Sequence, residues 1–141
     1  MPAFFAEAAR VLAPGGIIAI LYNNRQTAVS AVLSEVESYL EDNDESYSRD
    51  YRARDTQALL AAQDDFEQVE RVRSVWLKPT SSDDLVNYFM SRSMMQTLVE
   101  KVGLAKLRQR IGDIADQHAR SGNIDLPFAT ELDMATRKAT A

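Results

Sequence analysis

The chain has 141 residues, of which 45% are hydrophobic and 26% charged, a balance that suits one ordinary soluble domain able to hide roughly two-thirds of its unfolded surface. Sixteen Lys and Arg stand against 21 Asp and Glu, a net charge of −5, which argues against general binding to a phosphate backbone and so against nucleic acid as a partner. With no cysteine, disulfides, thiolate metal sites and cysteine nucleophiles are excluded together.

The first residues lack a basic region followed by an apolar run, so no targeting segment is read there. The longest apolar stretch, Ile17 to Tyr22, is far shorter than the about 20 residues a bilayer crossing needs. The expectation is a cytoplasmic chain with no membrane partner. No repeat of solenoid or propeller period is visible.

In chain order, Phe5, Ala8, Val11 and Leu12 fall on one stripe and predict an amphipathic helix over residues 2–13. Pro2 suits its first turn, and Pro14-Gly15-Gly16 supplies the stop and a sharp turn. Ile17 to Tyr22 is apolar without alternation, which predicts a strand covered on both faces, as in parallel α/β sheets. Such a strand needs neighbours on each side, and the single helix before it cannot provide them. After Asn23-Asn24-Arg25, the spacing of Val29, Val32, Leu33, Val36 and Leu40 predicts a helix over 27–42. Residues 41–46, acidic and turn-prone, predict a mobile surface loop.

A short helix is predicted over 56–63. Residues 66–78 follow as a strand with a bulge where its alternation slips, and Pro79 ends it. Ser81 caps the next helix with Asp84 three residues on, and Leu85, Val86, Phe89 and Met90 form its buried side. Leu107, Ile111, Ile114 and His118 predict a helix over 104–120, closed by Gly122. Ile124, Leu126, Phe128, Leu132 and Met134 alternate with polar or small residues. They predict a strand with one wet face, paired antiparallel to 66–78, and Pro127 suggests a sheet edge.

The run Phe5-Ala6-Glu7-Ala8-Ala9-Arg10-Val11-Leu12-Ala13-Pro14-Gly15-Gly16-Ile17-Ile18-Ala19-Ile20 resembles a signature of the Rossmann-like S-adenosylmethionine-dependent methyltransferases, type 11-like and of the small-molecule subgroup. In that family the pattern E-x-x-R-V-L-x-P-G-G and an apolar strand mark the helix before the fifth strand and the strand itself. The resemblance implies a following helix, a sixth strand at 66–78 and a seventh, at 124–136, inserted antiparallel beside the fifth. Residues 81–120 would then be a helical insertion over the substrate. The tail from Asp125 to Leu132 is similar to the closing strand of trans-aconitate and ubiquinone or menaquinone-type members.

The fold class implied is α/β: a partial Rossmann-like methyltransferase sheet of about three strands, with an antiparallel terminal pair and a helical insertion. Residues 1–141 form a single partial domain. Its parts are a helix-turn-strand at 2–25, a helical segment at 26–63, a strand at 64–79, the insertion at 80–122 and a terminal strand at 123–137. The family's donor site needs a Gly-rich turn after the first strand and an acidic residue ending the second. The five glycines, Gly15, Gly16, Gly103, Gly112 and Gly122, offer no such turn. The resemblance therefore implies a truncated, carboxy-terminal portion with Met1 an internal methionine. The resemblance implies that the complete enzyme uses S-adenosylmethionine on a small-molecule methyl acceptor, and the expectation is that this chain alone is inactive and does not hold the cofactor tightly.

Tyr22, Asn23, Asn24 and Arg25, at the carboxyl end of the apolar strand, are the substrate-facing candidates; as plain turn residues, Asn-Asn would merely start the next helix. Methyl transfer gains mostly from proximity and orientation, so no fixed catalytic residue is assigned. His118, the only histidine, is a base candidate at a core-facing helical step, where a structural role is the simpler reading. Asp64-Asp65 and Asp83-Asp84 read as solvated turns and caps, and no metal site is expected. Trp76, Tyr88, Phe89, Met90, Met94 and Met95 suit an apolar pocket or, more simply, core. The alternative function is a non-enzymatic helical interaction module, and on either reading an exposed sheet edge or the helices offer a homodimer contact.

Overall fold

The computed structural model describes residues 2–50 and 54–139; Met1, the candidate internal methionine, lies outside them. The chain is mixed α/β. It runs α1 (Pro2–Val11), β1 (Ile17–Arg25), a 3-10 turn (Thr27–Val29), α2 (Ala31–Asn43), α3 (Thr56–Ala61), β2 (Phe66–Thr80), α4 (Ser82–Met90), α5 (Met95–Val102), α6 (Leu104–His118) and β3 (Ile124–Arg137). The three strands form an antiparallel sheet in the order β1-β3-β2, so the last strand lies between the other two.

Pairing keeps one register between β1 and β3. Arg137 N donates to Gly16 O at 2.7 Å at one end of β1, and Gln26 N donates to Pro127 O at 2.9 Å just past the other. Across β2 and β3, Arg71 meets Asp133 and Arg73 meets Glu131. Lys138 N bonds Asp65 O while Thr136 bonds the Gln68 side chain, so three residues of β2 run against two of β3. Gln68 takes a left-handed φ of 53° at that point, a bulge within the predicted strand.

Two compact units are distinguished, each with its own core. The first comprises residues 1–24, 53–75 and 129–141, and the second 25–52 and 76–128. In the first, Phe5, Ala9, Ile18, Leu60, Phe66 and Ala135 are buried together, with Ala8, Leu12 and Ile20 packed against them. The stripe of α1 is thus Phe5-Ala8-Ala9-Leu12, and Val11, expected on it, is exposed. Gly15 turns the chain with a φ of 79°, and a Cβ on Gly16 would sit 2.8 Å from the Ala13 carbonyl, so the turn into β1 needs both glycines. In the second unit, α2, α4, α5 and α6 bury Leu33, Leu40, Leu85, Phe89, Leu98 and Ile111 with Leu126 from β3. Each such leucine contributes about 1.5–3 kcal/mol of transfer free energy.

Two strands exchange their predicted places. β1 is an edge strand covered on one face: Ile18 is buried, whereas Ile17 and Leu21, each 61% exposed, face outward with nothing among the described residues over them. The doubly covered strand is β3, where 126–129 are all buried. Pro127 fits there because a strand residue presents N–H and C=O on the same side. Its carbonyl meets Gln26, one residue past the end of β1, so the missing N–H falls where the ladder is already closing.

Other boundaries move for local reasons. α2 starts at Ala31 rather than 27, since the Ser30 hydroxyl accepts from Leu33 N as its cap. The acidic loop after it is pinned: Asp44 is buried, bonded to Lys101 and Ser46, and Glu41 holds Arg49. α5, which the sequence reading omits, buries Met95 and Leu98. α6 ends at His118, and Gly122 with Ser121, both at positive φ, makes the tight turn into β3. Among the described residues no helix is long and apolar enough to cross a membrane.

Candidate functional site

The carboxyl end of β1 carries the four predicted site residues, and they find partners in different ways. Within the first unit, Tyr22 bonds the Thr56 hydroxyl through its own. Thr130 donates to Asn23 Oδ1 at 2.7 Å, and Asn24 donates to Glu131 Oε2 at 3.2 Å. Glu131 also takes a bond from Arg73 Nε at 3.2 Å. Beside it the Arg71 fork grips the buried Asp133 at 2.6 and 2.9 Å, which pushes the guanidinium above its usual range. Tyr22–Thr56 ties β1 to α3; the others are cross-strand polar pairs, and what they do chemically is lock register on the face of the sheet.

Arg25, the last residue of β1, belongs to the second unit and to a different constellation. Its Nη1 lies 2.9 Å from Oε1 of Glu37, a glutamate with no exposed side-chain surface. Arg92 Nη1 approaches the same oxygen at 3.2 Å and donates to the Tyr47 hydroxyl at 2.6 Å, which in turn donates to Glu37 Oε2 at 2.6 Å. Both guanidiniums stack on Phe89 at 5.2 and 5.4 Å, and Arg25 also covers Tyr88 at 5.3 Å. Burial first, and the bond to Glu37 second, push the Tyr47 phenol well above its ordinary range, so it stays a neutral donor.

One buried carboxylate therefore faces two guanidiniums, only 11% and 8% exposed. Arg25 Nη1 is buried and, although close to Glu37, makes no aligned hydrogen bond. Arg92 Nη2 is 3.2 Å from Met94 Sδ, a weak acceptor. Arg92 also lines an open cleft of about 410 Å³ with Met90, Met95, Val99, Glu100 and Leu104.

The remaining candidates resolve simply. His118 sits at the end of α6 with Nε2 3.0 Å from Glu35, beside Arg110, at the rim and not in the core. Ser81 and Asp84 bond reciprocally as a cap, and Asp65 pairs with Arg137. Among the described residues no acidic or histidine cluster could hold a metal. Phe89 and Met95 are core, Met90 and Met94 pack against it, and Tyr88 and Trp76 are partly exposed, Trp76 stacking on Phe128 at 5.0 Å.

Glu37, Tyr47 and Arg92 escape the sequence reading. The signal for Glu37 was available, because it falls four residues after Leu33 and three before Leu40, in the middle of the apolar stripe of α2. Arg92 lies in a segment without periodicity, and nothing local marks it.

No protein-family model matches the chain, and no curated protein matches it.

Proposed function

We propose that this chain is the carboxy-terminal portion of a Rossmann-like, S-adenosylmethionine-dependent methyltransferase that acts on a small molecule. The observation that carries the reading is the place of β3: last in the chain, antiparallel, and between β1 and β2. The family pattern has its seventh strand beside its fifth in this way, and β1 is the strand that follows the Glu7-to-Gly16 motif. The outward Ile17 and Leu21 and the free edge of β1 are the surfaces that further strands and helices of such a fold would cover.

The residues present do not fit the methyl donor. Gly15 and Gly16 open β1 where a donor turn would follow a strand, Gly103 joins two helices, Gly112 lies inside α6, and Gly122 precedes β3. The chain's own contribution is on the acceptor side, at the carboxyl end of β1, with Tyr22, Asn23, Asn24 and above all Arg25 as substrate-facing residues.

Calorimetric titration of the chain with S-adenosylmethionine should show no binding at micromolar concentrations; micromolar affinity would overturn the lost donor site. Translation of the genomic DNA upstream of Met1 in the same frame should encode a strand followed by a G-x-G turn. A stop codon there with no such turn would overturn the methyltransferase portion itself.

A second reading, a non-enzymatic association module, is favoured by one observation: both edge strands expose apolar side chains, Ile17 and Leu21 on β1 and Val72, Val75 and Leu77 on β2.

A further inference from the structure

We infer that the first unit joins a second copy of itself through the free edge of β1, with the two β1 strands antiparallel about Ala19 and the exposed flanks of the two α1 helices packed together. The backbone supplies the first argument. Arg137 N donates to Gly16 O and Gln26 N to Pro127 O, so the even-numbered residues of β1 turn to β3, and Ile17, Ala19, Leu21 and Asn23 present N–H and C=O at the open edge. From Ile17 to Asn23 that edge holds no charge and no proline. β2, the other edge strand, carries Glu70, Arg71, Arg73, Lys78 and Pro79 and bulges at Gln68, and these are the devices that keep strand edges apart. The unguarded edge is therefore β1.

The helix above it is placed to join the contact. Phe5 and Ala9 of α1 are buried with Ile18 of β1 and Ala135 of β3, so α1 lies over the line between these two strands. Ala9 O accepts from Arg137 Nε on the β3 side. The opposite flank, where Phe4 is 52% and Val11 61% exposed, overhangs the free edge. Neighbouring strands lie about 4.8 Å apart, so a two-fold axis at that edge sets the two α1 helices about 10 Å apart, the spacing of packed helices. Because the axis makes the helices antiparallel, Phe4 of one copy meets Val11 of the other, twice. Glu7, the charge bordering this flank, is held by Arg10 at 2.6 Å and brings no unpaired charge into the contact.

The occupant follows from this self-complementarity. Across the new strand pair Ile17 faces Leu21 of the second copy, and Ala19 faces its own counterpart, where two small side chains admit close approach. The inference names the partner in the association reading, on which it rests, and S-adenosylmethionine plays no part in it.

The chain has no cysteine, so a single introduced thiol reports its own surroundings. Hydrogen-bonded partners across an antiparallel edge lie about 5.5 Å apart at Cα, within disulfide reach. Sedimentation velocity on the full chain should show a dimer, and Ala19→Cys should cross-link it under a mild oxidant, whereas Val72→Cys on β2 should not. A monomer at every concentration overturns the interface together with the association reading. A dimer that Ala19→Cys cross-links no better than Val72→Cys overturns the interface while the association reading stands. Val11→Lys, a change at an exposed helical position, should weaken the dimer at least about tenfold; an unchanged dissociation constant overturns the helix contact.

Discussion

Asp44 is buried at the end of α2, and Lys101 Nζ at 2.7 Å, with two further bonds from Ser46, lowers its pKa from 3.8 to about 2. Because the folded value is the depressed one, the pair adds stability in full above about 3.8, and that stability is lost as pH falls from there through about 2. Lys101→Met should flatten the fall in melting temperature across this window, and an acid limb identical to the parent's would refute the coupling. Asp44 also shows what composition conceals: four acidic residues among 41–46 read as solvent-facing, yet one is buried because a lysine from another helix reaches it. Glu37 teaches the converse. A charge in an apolar stripe was visible in the sequence, but its arginine partners lie 12 and 55 residues away, and only packing brings them to one oxygen.

At the scale of elements, the helices were legible where caps and apolar spacing agree. Ser81 Oγ accepts from Asp84 N at 3.1 Å and donates to the Asp84 carboxylate at 2.8 Å, and Asp83 and Asp84 in the first turn favour the helix dipole. Ser81→Ala should cost about 1 kcal/mol, seen as a lower urea midpoint with an unchanged slope. An unchanged midpoint would show that the Leu85, Val86 and Phe89 face alone sets the start of α4. Strand positions were less legible, because an apolar run signals capacity for burial and not its fulfilment. Ile17 to Tyr22 could be covered twice and is covered once, while β3, with a proline and alternating polar residues, is the strand that packs on both sides.

For the whole molecule, the exposed Ile17 and Leu21 on one edge strand and Val72, Val75 and Leu77 on the other leave apolar surface that association would bury. Sedimentation velocity should show self-association that rises with concentration and weakens on Leu21→Lys. A compact monomer at high concentration, unchanged by that substitution, would contradict it. The Ser81 cap and the Pro-Gly-Gly turn follow from neighbours a few residues apart, so the amino-acid order alone determined them. Which strand lies in the middle, and which arginines share Glu37, depend on contacts between segments far apart in the chain. Their free energy arises only once helices and strands have packed, and so tertiary structure decided them.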